Sequence, residues 1–232
     1  MRRFTKHIIA AAGAFLLAAN AFAASLDDPA SVEAFVDGVV LPLMANSNNP
    51  SGTVAIVHNG EVLLAKGYGF EDVENLVPVD PAQTLFRPGS ISKLFTWVAV
   101  MQLVEQGKLD LDTDVNTYLE TFQIKDTFAE PITLRHIMTH TPGFEDGGIG
   151  YLIISDVDRV LPLAESMKRY QPERVNPPGA QTAYSNYATA IAGLIVANVS
   201  GLSFNNYIQK YIFDPLAMNN STFEEPLPEH LE

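Results

Sequence analysis

Asn59-Gly60 and the asymmetry around it limit what this chain can become. Both central positions of a two-residue hairpin turn need left-handed backbone, and Asn-Gly is the pair that adopts it most readily. β-rich runs flank the turn, Thr53 to His58 before it and Glu61 to Ala65 after it. One more short strand is expected near Thr84 to Phe86, leading into Arg87-Pro88-Gly89. Everything later reads as helix and loop. A strand pair followed by a helical block gives the α/β (α+β) class. It is oddly short of strands, because a hairpin with one extra strand makes a poor sheet.

The helical pattern has clear starts and stops. Ser31 is expected to cap a helix whose apolar positions are Val32, Phe35, Val36, Val39 and Leu43, ended by a polar loop from Asn46 to Gly52. A second helix starts at Ser90, runs through Leu94, Val98, Met101 and Val104, and stops at Gly107. Thr133 to His140 predicts a short helix closed by Pro142-Gly143. Gly147-Gly148-Ile149-Gly150 predicts a flexible turn, and Asn176-Pro177-Pro178-Gly179 a rigid one. After Tyr184, one helix carries Ile191, Leu194, Ile195 and Asn198 as far as Gly201. Another carries Phe204, Tyr207, Ile208 and Tyr211, an aromatic set whose helical spacing fits a core better than a sugar platform.

Residues 1–23 stand apart. Arg2, Arg3 and Lys6 precede an apolar run from Ile8 to Ala19, and Ala21-Phe22-Ala23 supplies a small-x-small cleavage pattern. This predicts a signal peptide cut after Ala23 and a mature domain over 24–232, placed in the periplasm or secreted. The run is too short for a comfortable permanent span, and later apolar stretches are all interrupted, so no stable membrane span is expected after cleavage. With 14 Lys+Arg against 27 Asp+Glu the formal charge is −13. Losing the three basic leader residues leaves 11 against 27, or −16. With no basic stripe, that balance excludes a nucleic-acid binder. The absence of Cys excludes disulfides, thiolate metal sites and a thiol nucleophile.

The sharpest chemical signal is Ser90-Ile91-Ser92-Lys93. Side chains three apart on a helix share a face, so the Ser90 hydroxyl and the Lys93 amine can meet. At a helix N-terminus Ser90 would also sit where developing negative charge is favoured. Lys93, read as part of a first buried turn beside Leu94 and Phe95, would act as a desolvated base or would stabilise a phenolate by its charge. The second signal, Tyr184-Ser185-Asn186, lies 94 residues on, between the Pro-Pro-Gly loop and a helix. A phenol is about three pH units too weak a base at neutrality, a gap that a neighbouring ammonium narrows. The Asn186 amide can accept from Lys93 and donate to a substrate carbonyl.

Together these residues resemble the penicillin-binding protein and serine β-lactamase superfamily, with its S-x-x-K nucleophile motif. The closer likeness is to the branch holding class C β-lactamases, D-alanyl-D-alanine carboxypeptidases and β-lactamase-like esterases, whose second motif is Tyr-x-Asn. Phe86-Arg87-Pro88-Gly89 and Gly107-Lys108-Leu109-Asp110-Leu111-Asp112 flank the first motif as in that branch. Leu134-Arg135-His136-Ile137-Met138-Thr139-His140-Thr141-Pro142-Gly143 is similar to its Leu-Leu-x-His-Thr-Ser-Gly segment. The resemblance implies a β-lactamase/transpeptidase-like fold, with an antiparallel sheet flanked by helices and a mostly helical subdomain. It implies Ser90 as acylated nucleophile, Lys93 as its activating partner, Tyr184 as general base or acid, and Asn186 as substrate-positioning group. It also implies a small-molecule or short-peptide acyl substrate and no metal or organic cofactor. Hydrolysis would proceed through an acyl-enzyme on an amide, β-lactam or ester. The alternative is an inactive relative that binds peptidoglycan or another ligand. Family members carry a third motif, Lys-Thr-Gly or His-x-Gly, on a later strand; none follows Asn186, and the only later His is His230. The expectation is therefore a domain incomplete at its C-terminus.

Other constellations carry less. His136 and His140 have the spacing of a zinc pair, but no Glu follows His136 and no third ligand offers itself, so both are expected to be structural. The G-x-S-x-G elbow is missing around Ser90. Asp110, Asp112 and Asp114 begin like a calcium loop, yet Val115 and Thr121 occupy the positions that need Gly and Glu.

Overall fold

The computed structural model describes residues 25–145, 147–148 and 152–231. The leader expected over residues 1–23, and Ile149 and Gly150 of the flexible turn, lie outside them. The chain divides between Thr84 and Leu85 into two compact units.

The first unit is a helix on a hairpin. Helix α1 (Pro29–Ser47) is capped three residues earlier than expected, by Asp28 and not Ser31, with Asp28 accepting from the Ala30 N–H at 3.2 Å. Pro29 then takes the first helical position, where its missing N–H costs nothing. Strands β1 (Ser51–His58) and β2 (Glu61–Asp72) pair antiparallel around Asn59-Gly60, with φ of +51° and +82° at the two turn residues. The third strand, β3 (Val77–Pro78), pairs with β2 and is not the one expected at Thr84 to Phe86. Thr84 gives its backbone N–H to Asp80 O at 2.9 Å and its hydroxyl oxygen accepts from Asp80 N at 2.9 Å. That closed turn takes the Thr84 N–H out of any ladder.

The α1 face also differs from expectation. The buried row is Val32 and Val36, with Val40 and Met44 partly covered, against Tyr68, Val54 and Ile56. Phe35, Val39 and Leu43 are exposed. The sequence offers two apolar rows of i, i+4 spacing, Val32/Val36/Val40/Met44 and Phe35/Val39/Leu43, and the first is the one that meets the hairpin. Lys66 ties the pair together with Nζ 2.6 Å from Glu33 and 2.8 Å from Asp37, while the Tyr68 hydroxyl donates to Asp37 at 2.7 Å.

The second unit is helical and holds the larger core. Helix α5 (Asn186–Ser200) is apolar around most of its circumference, the signature of a buried helix. Its residues Tyr187, Ala188, Ile191, Ala192, Ile195 and Val196 are all buried. Packed in the same core are Ala99, Val100 and Leu103 of α2 (Lys93–Glu105), Leu134 and Ile137 of α3 (Leu134–Met138) and Met167 of α4 (Leu163–Arg169). Helix α6 (Phe204–Ile208) contributes Tyr207 and Ile208, then loosens into a π turn over Gln209–Phe213 that leaves Tyr211 exposed. Among the described residues no single helix is long and apolar enough to cross a membrane.

Helix α2 buries the row that the sequence did not single out. Thr96, Ala99, Val100 and Leu103 face the core, while Leu94, Val98 and Met101 are exposed. The helix is apolar on both sides, so periodicity alone does not choose between them. The aspartates after it serve turns: Asp112 pairs with Arg135 through two bonds of 2.7 and 2.8 Å, and Asp114 accepts from the Asn116 N–H.

Candidate active site

Ser90 sits one turn ahead of where the sequence places it relative to the helix. Gly89–Ser92 forms a single 3-10 turn, and the α-helix begins only at Lys93. Gly89 at φ +61° makes the sharp entry, a backbone state that suits a residue without Cβ. The 3-10 turn also brings positions i and i+3 nearly into line. The Lys93 ammonium therefore donates to the Ser90 hydroxyl oxygen at 3.2 Å, as the S-x-x-K spacing predicts.

Tyr184 arrives along a strap zipped to the segment after α3. Asn176 and Val175 donate to Gly143 O, Gly179 N to Thr141 O, and Ala183 N to His140 O at 2.7 Å. The approach at Gly143 is so close that an added Cβ would stand 1.9 Å from Asn176 O, and its φ is +84°. Only glycine fits there. At the end of the strap the Tyr184 and Ser90 hydroxyl oxygens are 2.7 Å apart. Ser185 then caps α5, accepting from Ala188 N at 3.1 Å, which fixes Asn186 as the first helical residue. Asn186 Oδ1 accepts from Lys93 Nζ at 2.8 Å, leaving its NH₂ for another acceptor.

All four residues singled out from the sequence thus converge, and Lys93 is the hub. Its Nζ lies 4.6 Å from the Tyr184 ring centroid as well as bonding Ser90 and Asn186. The hydrogen bond from Lys93, then that from Ser90, holds the Tyr184 phenol below its ordinary pKa against a smaller opposing effect of burial. Of the two roles considered for Lys93, the placement supports charge stabilisation of a phenolate. The fully buried turn expected around Lys93 is not formed: Lys93 is half-buried, and Leu94 beside it is 59% exposed. Helix α2 turns its core face to the other side. Ser90 and Tyr184 are themselves exposed, so the hydroxyl pair is open to a reactant.

His140 belongs to the site although its sequence context marked it as structural. Its ring lies 4.5 Å from that of Tyr184, and Trp97 meets it edge-on at 6.3 Å. Its Nδ1 accepts from the Ser185 N–H at 3.4 Å. Burial, and secondarily the charge of Lys93, pull its pKa below the usual imidazole value, which favours the neutral ring. Nothing in local periodicity marks this contact; only the family-like segment from Leu134 to Gly143 contains it. His136 is engaged elsewhere, its Nδ1 accepting from Thr133 N at 3.2 Å in a capping box. The two rings bond different partners, Thr133 for His136 and Ser185 for His140.

The sequence model of the family described as Beta-lactamase matches residues 36–232. The putative penicillin-binding protein PbpX of Bacillus subtilis (strain 168) is 34% identical over 185 residues, covering 77% of this chain and 44% of that protein. Protein flp of Staphylococcus aureus (strain N315) is 28% identical over 199 residues, covering 82% and 38% respectively. The chain thus spans less than half the length of these curated relatives. An octameric penicillin-binding protein homologue from Pyrococcus abyssi superposes with a TM-score of 0.69 at 32% identity, over 85% of this chain and 45% of that one. EstCE1, a hydrolase with promiscuous acyltransferase activity, gives 0.68 at 26% identity, over 82% and 52%.

Proposed function

Because the chain belongs to the beta-lactamase family, we propose that it acts as a serine hydrolase forming an acyl-enzyme at Ser90. The observation that carries the reading is the Ser90 oxygen held 2.7 Å from a phenol and 3.2 Å from an ammonium. A serine hydroxyl is a weak nucleophile until a base accepts its proton. Tyr184, with its pKa lowered by Lys93, is that base: as the Ser90 oxygen bonds the carbonyl carbon, its proton passes to the phenolate. Lys93 keeps the phenolate stable beforehand. The same proton, now on Tyr184, goes to the leaving nitrogen or oxygen as the C–N or C–O bond breaks. Water then gives a proton to Tyr184 as its oxygen bonds the acyl carbon, and when the bond from that carbon to Ser90 Oγ breaks the proton passes back to Ser90, restoring the phenolate. Asn186 directs its free amide hydrogens to the substrate while its oxygen orients Lys93. The substrate is a small acyl compound or short peptide with an amide, β-lactam or ester bond, and we place the protein outside the cytoplasm on its leader pattern.

A fluorescent penicillin and a fluorophosphonate probe test this on the protein as it exists. Covalent labelling by either one, abolished in Ser90→Ala, is expected. The turnover rate should fall by about 10⁴-fold or more, the scale of nucleophile loss in serine hydrolases. Reversible binding that survives Ser90→Ala without any adduct would overturn the enzyme reading in favour of a ligand-binding relative.

A further inference from the structure

Arg174 is a buried charge with unused donors. It is only 7% exposed, and among the described residues its Nε and Nη2 have no hydrogen-bond partner. Its Nη1 makes a long bond of 3.4 Å to Lys125 O, and its guanidinium lies 5.3 Å from the Phe128 ring centroid. The backbone holds it in place, since Arg174 bridges Phe144 while Glu145 N and Val175 N bond the strands on either side. A guanidinium that has left water is costly unless an anion meets it.

The chain has ample carboxylates, 27 Asp+Glu against 14 Lys+Arg, yet among the described residues none bonds this guanidinium. Asp126 and Asp114 act on it only through space, and burial outweighs them, drawing its pKa down. Around it lies a recess of about 170 Å³, with Arg174 in its wall beside Lys125, Lys168, Thr127 and Gln171. Among the described lining residues three cations face one carboxylate, Glu173, in a chain whose overall charge is strongly negative. The space equals that of about five or six waters and is smaller than a drug-sized pocket.

From this juxtaposition we propose a binding site for a small oxyanion, formed by Arg174, Lys125 and Lys168, separate from the Ser90 centre. A planar guanidinium fork with two ammonium groups suits phosphate, sulfate or a carboxylate. Thr127 and Gln171 add neutral donors. The ligand joins the Lys125 loop to two segments more than 40 residues on, helix α4 and the strap after it that ends at Tyr184. Occupancy therefore stabilises the strap as well as the loop, through the Gly143 and Thr141 bonds already described.

Isothermal titration of the whole protein tests the site independently of any hydrolysis. Inorganic phosphate and sodium acetate are titrated separately, with ionic strength held constant by chloride. Saturable binding of one anion per chain is expected; a response to phosphate alone identifies a phosphate-type ligand, and a response to acetate a carboxylate. Lys125 and Lys168 are exposed, so the double variant Lys125→Ala, Lys168→Ala should fold. It should bind about tenfold more weakly or worse, the scale of one charge-assisted hydrogen bond. Arg174→Met should lose the anion-induced rise in melting temperature altogether. The absence of saturable binding by either anion, or equal affinity in the double-lysine variant, would overturn the proposal.

Discussion

The hairpin unit and the helical unit are held together by different means. In the helical unit a continuous apolar core surrounds α5, and the four converging side chains hang from the elements that build it. In the hairpin unit the buried cluster is Val32, Val36 and Tyr68, reinforced by a charged cluster on Lys66. A large core positions groups to within a fraction of an ångström because close packing leaves few alternative arrangements. A small core with surface ion pairs tolerates more motion, since such pairs contribute little each. The site's geometry is therefore set in the unit best able to hold it.

Paired truncations break or sharpen this contrast most directly. Ile195→Ala, at a fully buried position of α5, should destabilise by about 2–5 kcal/mol, whereas Val36→Ala should cost only about 1.5 kcal/mol from two lost carbons. Denaturant titration of each variant measures the difference; equal losses would show that the two units are equally dependent on packing. Next in size is Lys93→Ala, which should lower acylation by about a hundredfold at neutral pH. Activity requiring the Tyr184 phenolate rises with pH through its lowered pKa. Without Lys93 that value moves up toward the ordinary phenol, so the rising limb of the pH–rate profile should shift to higher pH. A limb that stays put would assign it to another group. Smallest is an alkaline effect confined to the hairpin unit. Burial, helped by the neighbouring Asp37 carboxylate, pushes the Tyr68 phenol up to about 12. A raised phenol pKa stabilises the fold below about pH 10, the unfolded value, and that contribution fades as pH rises toward 12. The protection of β2 amides relative to their intrinsic exchange rates should fall over that window in the natural protein and fall less steeply in Tyr68→Phe.

Some of this arrangement could be read along the chain. Asn59-Gly60 located the hairpin because its backbone requirement is local. Ser90 and Lys93 could be paired because a helical turn fixes their spacing whatever surrounds it. Tyr184 and Asn186 were found by likeness to a motif, while their meeting with Ser90 across 94 residues is a long-range fact. Thr84 to Phe86 misled because β-propensity does not reveal that Asp80 takes up the Thr84 backbone. Leu94, Val98 and Met101 misled for another reason: α2 is apolar all round, and only its neighbours decide which row is covered.

Local stereochemistry, then, lies in the amino-acid order itself: the left-handed turn at Asn59-Gly60, the one-turn reach between Ser90 and Lys93, and the rigid Pro-Pro-Gly approach to Tyr184. These depend on backbone sterics within a few residues. The tertiary structure alone decided that Asn186 and Tyr184 close on the Ser90–Lys93 pair, that His140 lies against Tyr184, and that Arg174 is buried with no carboxylate bonded to it among the described residues. Contacts of that kind arise when packing closes distant segments on one another, and no short stretch of sequence contains the partner.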